Sequence, residues 1–171
     1  MDPFLDLARA LIEADVRFVV IGVWGANYYA TSASTVFRTE DRDLFLPPDP
    51  DNLIKCWAAC ERVGLELWGD SEPLDEPRDR LLDAERVVAR RAQVRATDGA
   101  ALDVDLSLVM KGFEFDTVWN DRRTFVVAGV DIPVARLQYI VASKHAVGRD
   151  KDRLFLATHR EALEQMLRRE Q

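Results

Sequence analysis

From Ala101 to Val109 the chain alternates: Leu102, Val104, Leu106 and Leu108 are apolar, and Asp103, Asp105 and Ser107 between them are polar. Successive side chains on a strand point to opposite faces. A period of two therefore predicts a strand with one face in a core and the other carrying carboxylates. Thr97-Asp98-Gly99 precedes it, and Arg86–Ala96 before that is a second strand-like run. An Asp-Gly step between two such runs is a hairpin signal.

Other segments extend this into a mixed sheet. Phe4, Leu7, Ala8, Leu11 and Ile12 share one face of a helix over residues 3–14, with Pro3 suited to its first turn. Arg17–Ile21 is apolar and β-branched and predicts a buried strand. Gly22-Val23-Trp24-Gly25 breaks it, and Ala26–Ala30 begins a short helix. Asp41–Leu46 predicts a second strand, stopped by Pro47-Pro48. Asp49 or Asp51 caps a helix that runs to about Val63 and ends at Gly64. Residues 69–79 form an acidic loop.

A short helix follows near Phe113–Trp119, then a hairpin of Thr124–Val127 and Val130–Ile132 around Gly129. Helices close the chain, one at about Leu137–Val147 and one at about Lys151–Arg168. This order predicts an α+β fold, a mixed α/β sheet with helical flanks, in a single domain over residues 1–171. The helical C-terminal part covers about 136–168.

Composition narrows the function classes. With 48% hydrophobic and 31% charged residues, the chain suits a globular protein with a core. It has 23 basic and 30 acidic residues, a formal charge of −7. Tight nonspecific duplex binding needs clustered Lys and Arg and is not expected. No apolar run approaches the roughly 18 residues of a membrane span, and Met1-Asp2-Pro3-Phe4 lacks a signal-peptide pattern. A cytoplasmic location is the expectation, with no membrane partner. Cys56 and Cys60 are four apart on a helical pattern, which suits packing rather than a disulfide. His145 and His159 are far apart with no nearby Cys, so no zinc site is expected.

The chemistry concentrates at Arg38-Thr39-Glu40-Asp41-Arg42-Asp43-Leu44-Phe45-Leu46. On a strand Asp41 and Asp43 share a face, and Arg42 points to the other. Two such charges about 4 Å apart repel by about 4 kcal/mol at an effective dielectric near 20. Mg²⁺ between them relieves this and brings phosphates; an exposed edge strand with solvated acids is the plainer alternative. Asp103 or Asp105 on a neighbouring strand supplies a third carboxylate, and three can hold two metals. Gly22-Val23-Trp24-Gly25, between strand and helix, lets backbone N–H groups approach a phosphate. It is neither GxGxxG nor a P-loop, and such a turn also needs glycine for structural reasons alone.

Together these pieces resemble the DNA polymerase β-like nucleotidyltransferase superfamily. Strand, Gly22-x-x-Gly25, short helix and Thr39-Glu40-Asp41-Arg42-Asp43 carry the likeness. Downstream, Ile132-Pro133-Val134-Ala135-Arg136-Leu137 and Ser143-Lys144-His145-Ala146-Val147-Gly148-Arg149-Asp150-Lys151-Asp152 are similar to the bacterial minimal and AbiEii-like nucleotidyltransferases of toxin–antitoxin and phage-defence pairs. The resemblance implies the nucleotidyltransferase fold and transfer of a nucleoside monophosphate from an NTP to a hydroxyl acceptor. That acceptor would be tRNA, a protein hydroxyl or a small molecule. It implies Mg²⁺ or Mn²⁺ on Asp41, Asp43 and Asp105, and an NTP against Gly22, Val23, Lys144 and Lys151. A lysine lying along its own helix and a Lys151–Asp152 surface pair are the structural alternatives. The acidic loop could receive a cationic acceptor, as in aminoglycoside nucleotidyltransferases, and Trp68 at its edge could stack a base. Val23 stands where the family has Gly or Ser, and Arg42 where it has an apolar residue. The second reading is therefore a catalytically inactive, antitoxin-like protein that binds a partner from a neighbouring gene.

Overall fold

The computed structural model describes residues 2–31, 36–39, 41–69, 72–74 and 79–171. Helix α1 (Pro3–Glu13) starts at Asp2, whose carboxylate accepts the Phe4 N–H at 3.0 Å. Strand β1 (Val19–Ile21) leads directly into α2 (Gly22–Asn27), and β2 (Arg42–Phe45) follows. Helix α3 (Pro50–Arg62) is capped by Asp49, one of the two residues expected there. Then come β3 (Glu66–Gly69), β4 (Glu72–Pro73), α4 (Arg80–Arg90), β5 (Val94–Thr97) and β6 (Asp103–Ser107). Helix α5 (Phe115–Asn120), the hairpin β7 (Arg123–Val127) and β8 (Val130–Val134), and helices α6 (Leu137–Val147), α7 (Asp150–Thr158) and α8 (Arg160–Arg169) complete the chain.

The strands form one mixed sheet in the order β4-β3-β5-β6-β2-β1-β8-β7. Two parallel pairings, β2 with β6 and β1 with β8, lie in its centre. Helix α1 packs on α3 and α3 on α4, while α2 packs on α6 and α6 on α7. One cluster of buried side chains, including Phe4, Leu11, Val20, Leu44, Trp57 and Ile132, fills the core.

Three expectations need correction. Arg86–Ala96 is not a strand: Arg86–Arg90 belongs to α4, and only Val94–Thr97 is extended. Within α4 Val87 and Val88, β-branched residues, are half-buried beside buried Ala84, at helical spacing. Asp79 starts this helix by accepting the Leu82 N–H at 3.1 Å, and Arg91, at φ 51°, ends it. The short helix near residue 26 begins at Gly22 instead, directly after β1. The last helix is two, broken at His159, whose ring packs 4.8 Å from both Phe37 and Phe155. That break follows from tertiary contact, which local propensity cannot show.

The β5–β6 connection is longer than a two-residue hairpin, and the Asp98 carboxylate organises it by accepting the N–H groups of Ala100, Ala101 and Leu102. The acidic loop expected at 69–79 includes strand residues Gly69, Glu72 and Pro73, while positions 70, 71 and 75–78 lie outside the described residues, as does Glu40.

Candidate active site

Three central strands bring the acids together. Asp43 of β2 lies opposite Asp105 of β6 across the parallel pair, and opposite Ile21 of β1 on its other side. Asp41 stands just before β2, exposed, its N–H donated to the Thr39 hydroxyl at 3.0 Å. Asp41, Asp43 and Asp105 all line one cavity of about 610 Å³. Asp103 does not; it turns to the Thr97 hydroxyl across the β5–β6 pair.

Gly22 fits against this row of acids for steric reasons. Its φ is 70°, and a Cβ there would sit 2.5 Å from Asp43 Oδ2. An alanine would clash as well as strain. Val23 follows on the cavity wall.

Charge crowding shows in Asp43. Burial first, then the negative charges of Asp105 and Asp41, push its carboxyl up from 3.8 to about 6, with Lys144 opposing. Asp105, only 8% exposed, is instead gripped by Arg95 on the adjacent strand. Arg95 Nε donates to Oδ1 at 2.9 Å and Nη2 to Oδ2 at 3.3 Å. Sequence reasoning missed Arg95. Its cross-strand partner depends on the hairpin register, which a five-residue connection leaves open.

The opposite wall is cationic. Lys144 of α6, Arg149 between α6 and α7, and Lys151 of α7 line the same cavity. Lys144 and Arg149 both engage Asp152, which is 1% exposed. Lys144 Nζ donates to its Oδ1 at 3.1 Å, and Arg149 Nε to its Oδ2 at 2.7 Å. Burial alone would raise this carboxyl; the hydrogen bonds from Arg149 and Lys144 outweigh it and hold it below its ordinary value. The Lys151–Asp152 surface pair, the structural alternative for Lys151, is not formed: Asp152 is buried with two other cations. The Arg149/Asp152 spacing of three, at the start of a helix, was the available signal.

Oxygen donors on one wall and ammonium and guanidinium groups on the other suit a polyphosphate with a hard divalent cation. Among the described residues, no three acid, Cys or His side chains are already gathered around one point. The fit to a metal rests on the Asp43 carboxylate, crowded by Asp105 and Asp41 and packed against the bare Cα of Gly22. Other candidates are elsewhere. Arg42 lies over Trp24 at 4.2 Å and pairs with Asp2 at 3.1 Å, off the cavity wall as its alternation required. Trp68 is on β3 and does not line the cavity. Cys56 and Cys60 are buried, unbridged, in α3, and His145 is exposed. Among the described residues no helix is long and apolar enough to cross a membrane.

No family model matches this sequence, and no curated protein does. Solved structures do match. The solution structure of the antibiotic-resistance factor ANT(2″)-Ia aligns over 97% of this chain and 90% of its own, at 14% identity and a TM-score of 0.52. The crystal structure of ANT(2″)-Ia in complex with adenylyl-2″-tobramycin aligns over 94% and 90%, at 14% identity and a TM-score of 0.51. These neighbours are aminoglycoside nucleotidyltransferases. What this chain shares with them is the α+β nucleotidyltransferase fold, mixed sheet and flanking helices included.

Proposed function

We propose that this chain is a metal-dependent nucleotidyltransferase, moving a nucleoside monophosphate from an NTP to a hydroxyl acceptor in the cavity between β2–β6 and α6–α7. The observation that carries the reading is the in-register pair Asp43–Asp105, with Asp41 on the same wall and cations opposite. Asp41, Asp43 and Asp105 are the residues that would hold Mg²⁺ or Mn²⁺. When bound, the metal neutralises the carboxylates and the phosphates and polarises the reacting phosphoryl group. Such chemistry is mostly positioning and charge neutralisation.

The protein's own groups have separate tasks. Gly22 and the backbone at Val23 lie against the phosphates, and Lys144 and Lys151 meet their charge. The acceptor oxygen attacks the α-phosphorus, its proton passes to Asp105, and the bond to the pyrophosphate breaks. Arg95 does not prevent this, because a carboxylate offers about four lone-pair sites and a forked guanidinium uses two. The sheet and the C-terminal helices supply one wall each, so residues 1–171 work as one domain.

The Ser143–Asp152 segment carries Lys144, Arg149 and Lys151 of the cationic wall; its sequence resemblance to AbiEii-like proteins is what supports that closer kinship and a place in a toxin–antitoxin or phage-defence pair. The location that goes with it is the cytoplasm, where NTPs are available. A cationic small-molecule acceptor fits the net charge of −7, and ANT(2″)-Ia has been solved with an adenylylated aminoglycoside. Incubation with labelled ATP and, in turn, aminoglycosides, tRNA and candidate partner proteins identifies the acceptor.

A second reading is favoured by Val23, which gives phosphate no hydroxyl, and by Arg95, which already satisfies Asp105. In it the fold survives as a non-catalytic binding protein. Calorimetric titration of Mg²⁺–ATP and the other NTPs separates the two. Binding by the wild type that is lost in the Asp41→Ala/Asp43→Ala variant supports the enzyme. No binding of any NTP, together with capture of a neighbouring gene product by both proteins, supports the second reading.

A further inference from the structure

The cavity has a fourth cation, on neither of the segments that suggested nucleotide binding. Lys111 lines it from the turn after β6. That turn is braced at several points. Phe113 N–H donates to the Met110 carbonyl at 3.0 Å, and the two residues form an antiparallel bridge. The Ser107 hydroxyl donates to the Val109 carbonyl at 2.9 Å. Gly112 takes φ 94°, and a Cβ there would lie 4.0 Å from the Ala146 Cβ, so the turn rests on α6. Phe113 packs on Tyr139 at 4.8 Å, and the Tyr139 hydroxyl donates to Asp121. The backbone of Lys111 is thus held while its side chain is exposed.

The other cations are differently committed. Asp152 engages both Lys144 and Arg149. Among the described residues neither Lys111 nor Lys151 has a carboxylate within 4.0 Å. A lysine on a flexible stem carries a point charge and three donors, which suits a phosphate chain approached from more than one side. A metal on the three carboxylates would sit at the reacting phosphate, so the outer phosphates need other cations, and Lys111 and Lys151 are those that Asp152 does not engage.

We infer that Lys111 is a phosphate-contacting residue of this cavity, sharing with Lys151 the triphosphate end of the nucleotide. The inference rests on the nucleotidyl-transfer reading. It assigns a role to the β6–α5 turn, and it puts phosphate recognition on two elements that both touch α6.

The test is titration of Mg²⁺–ATP and Mg²⁺–tripolyphosphate into the wild type, Lys111→Gln and Lys111→Arg, with melting temperatures in parallel. Lys111→Gln should weaken both ligands by roughly tenfold, about the effect of one charged contact. Lys111→Arg should restore most of that loss, and neither variant should melt differently from the parent. Unchanged ATP affinity in Lys111→Gln overturns the inference and leaves the enzyme reading standing. So does a loss for ATP without one for tripolyphosphate, or a loss that Lys111→Arg does not restore. If the wild type itself binds no nucleotide, the enzyme reading fails first and this inference with it.

Discussion

Asp43 is ionised in a place that does not favour the charge. Burial, Asp105 and Asp41 all raise its carboxyl, to about 6. A group raised in the folded state holds its proton longer there than in the unfolded chain. Its ionisation therefore costs stability as pH rises from 3.8 toward 6, and the full cost remains above that. For a half-buried group it is on the order of 2 kcal/mol. Without metal, Asp43→Asn should raise the melting temperature at pH 7.5 by roughly 4–8 °C. At pH 3.5 no gain should remain. Differential scanning calorimetry at the two pH values checks this, and an Asn variant less stable at pH 7.5 would refute the crowding argument. If the protein is the metal-dependent enzyme proposed above, Mg²⁺ should reverse the order, because only the wild type keeps the Asp43 carboxylate that would hold it. Gly22 is the steric counterpart. Gly22→Ala adds a Cβ at a φ of 70° against the same carboxylate. It should cost about 1–3 kcal/mol in urea unfolding and weaken Mg²⁺ binding, whereas Gly99→Ala, with nothing within 4 Å of its Cβ, should leave metal affinity alone. Strand alternation puts Asp41 and Asp43 on one face and offers Asp103 and Asp105 alike as a third carboxylate; the family resemblance singles out Asp105, and the structure sets Asp105, not Asp103, on the cavity with Asp41 and Asp43. Arg95 was not legible from sequence, because its partner comes from the hairpin register; for Asp152 the Arg149 spacing was visible, but the partner Lys144 comes from another helix.

Helix α7 is tied to α6 by a buried carboxylate. Asp152 receives Lys144 from one helix and Arg149 from the turn before its own. Removing its charge leaves Lys144, itself only 16% exposed at the side chain, without a partner. Breaking a buried pair from one side costs about 3–5 kcal/mol, and the partly exposed Arg149 softens that. Asp152→Asn should therefore lose roughly 2–4 kcal/mol of stability at pH 7. Asp152 is held below its ordinary value in the fold, so the stability it gives is present above the unfolded-state value of 3.8 and lost as pH falls through its folded value. The deficit of the variant should shrink correspondingly in acid, which urea titrations at pH 7 and pH 3 would measure. The same scale shows why elements were read unevenly. Helix α1, strands β1, β2 and β6 and the β7–β8 hairpin each have a clear period or turn, and the sequence expectation agrees with the structure. Helix α4 was misread because Val87 and Val88 weigh toward β structure locally, while the Asp79 cap and buried Ala84 decide for a helix. The break at His159 has no local cause in composition; the ring is placed by Phe37 and Phe155.

Across the whole molecule the cavity is assembled from positions far apart in the chain: Ile21–Val23, then Asp41 and Asp43, Gln93, residues from Asp105 to Lys111, and residues from Ile140 to Phe155. The step that joins them is the parallel pairing of β2 with β6, reached only after α3, β3, β4, α4 and β5 intervene. No local pattern encodes that crossover, so the third carboxylate could be proposed from sequence but its register with Asp43 could not. The topology also means that one ligand must touch both walls. Central strands β2 and β6 are already flanked on both sides, and their amides should exchange slowly with or without ligand. The turn at Val109–Phe113 and helices α6 and α7 are peripheral, and they should gain protection when ligand bridges the cavity. Hydrogen exchange with and without Mg²⁺–ATP should therefore slow the 109–113 turn and residues 140–155 together. Protection in α7 alone would mean that the cationic wall binds phosphate without engaging the acids. Such a pattern would support the non-catalytic reading, since transfer requires the α-phosphorus to lie within reach of Asp43 and Asp105.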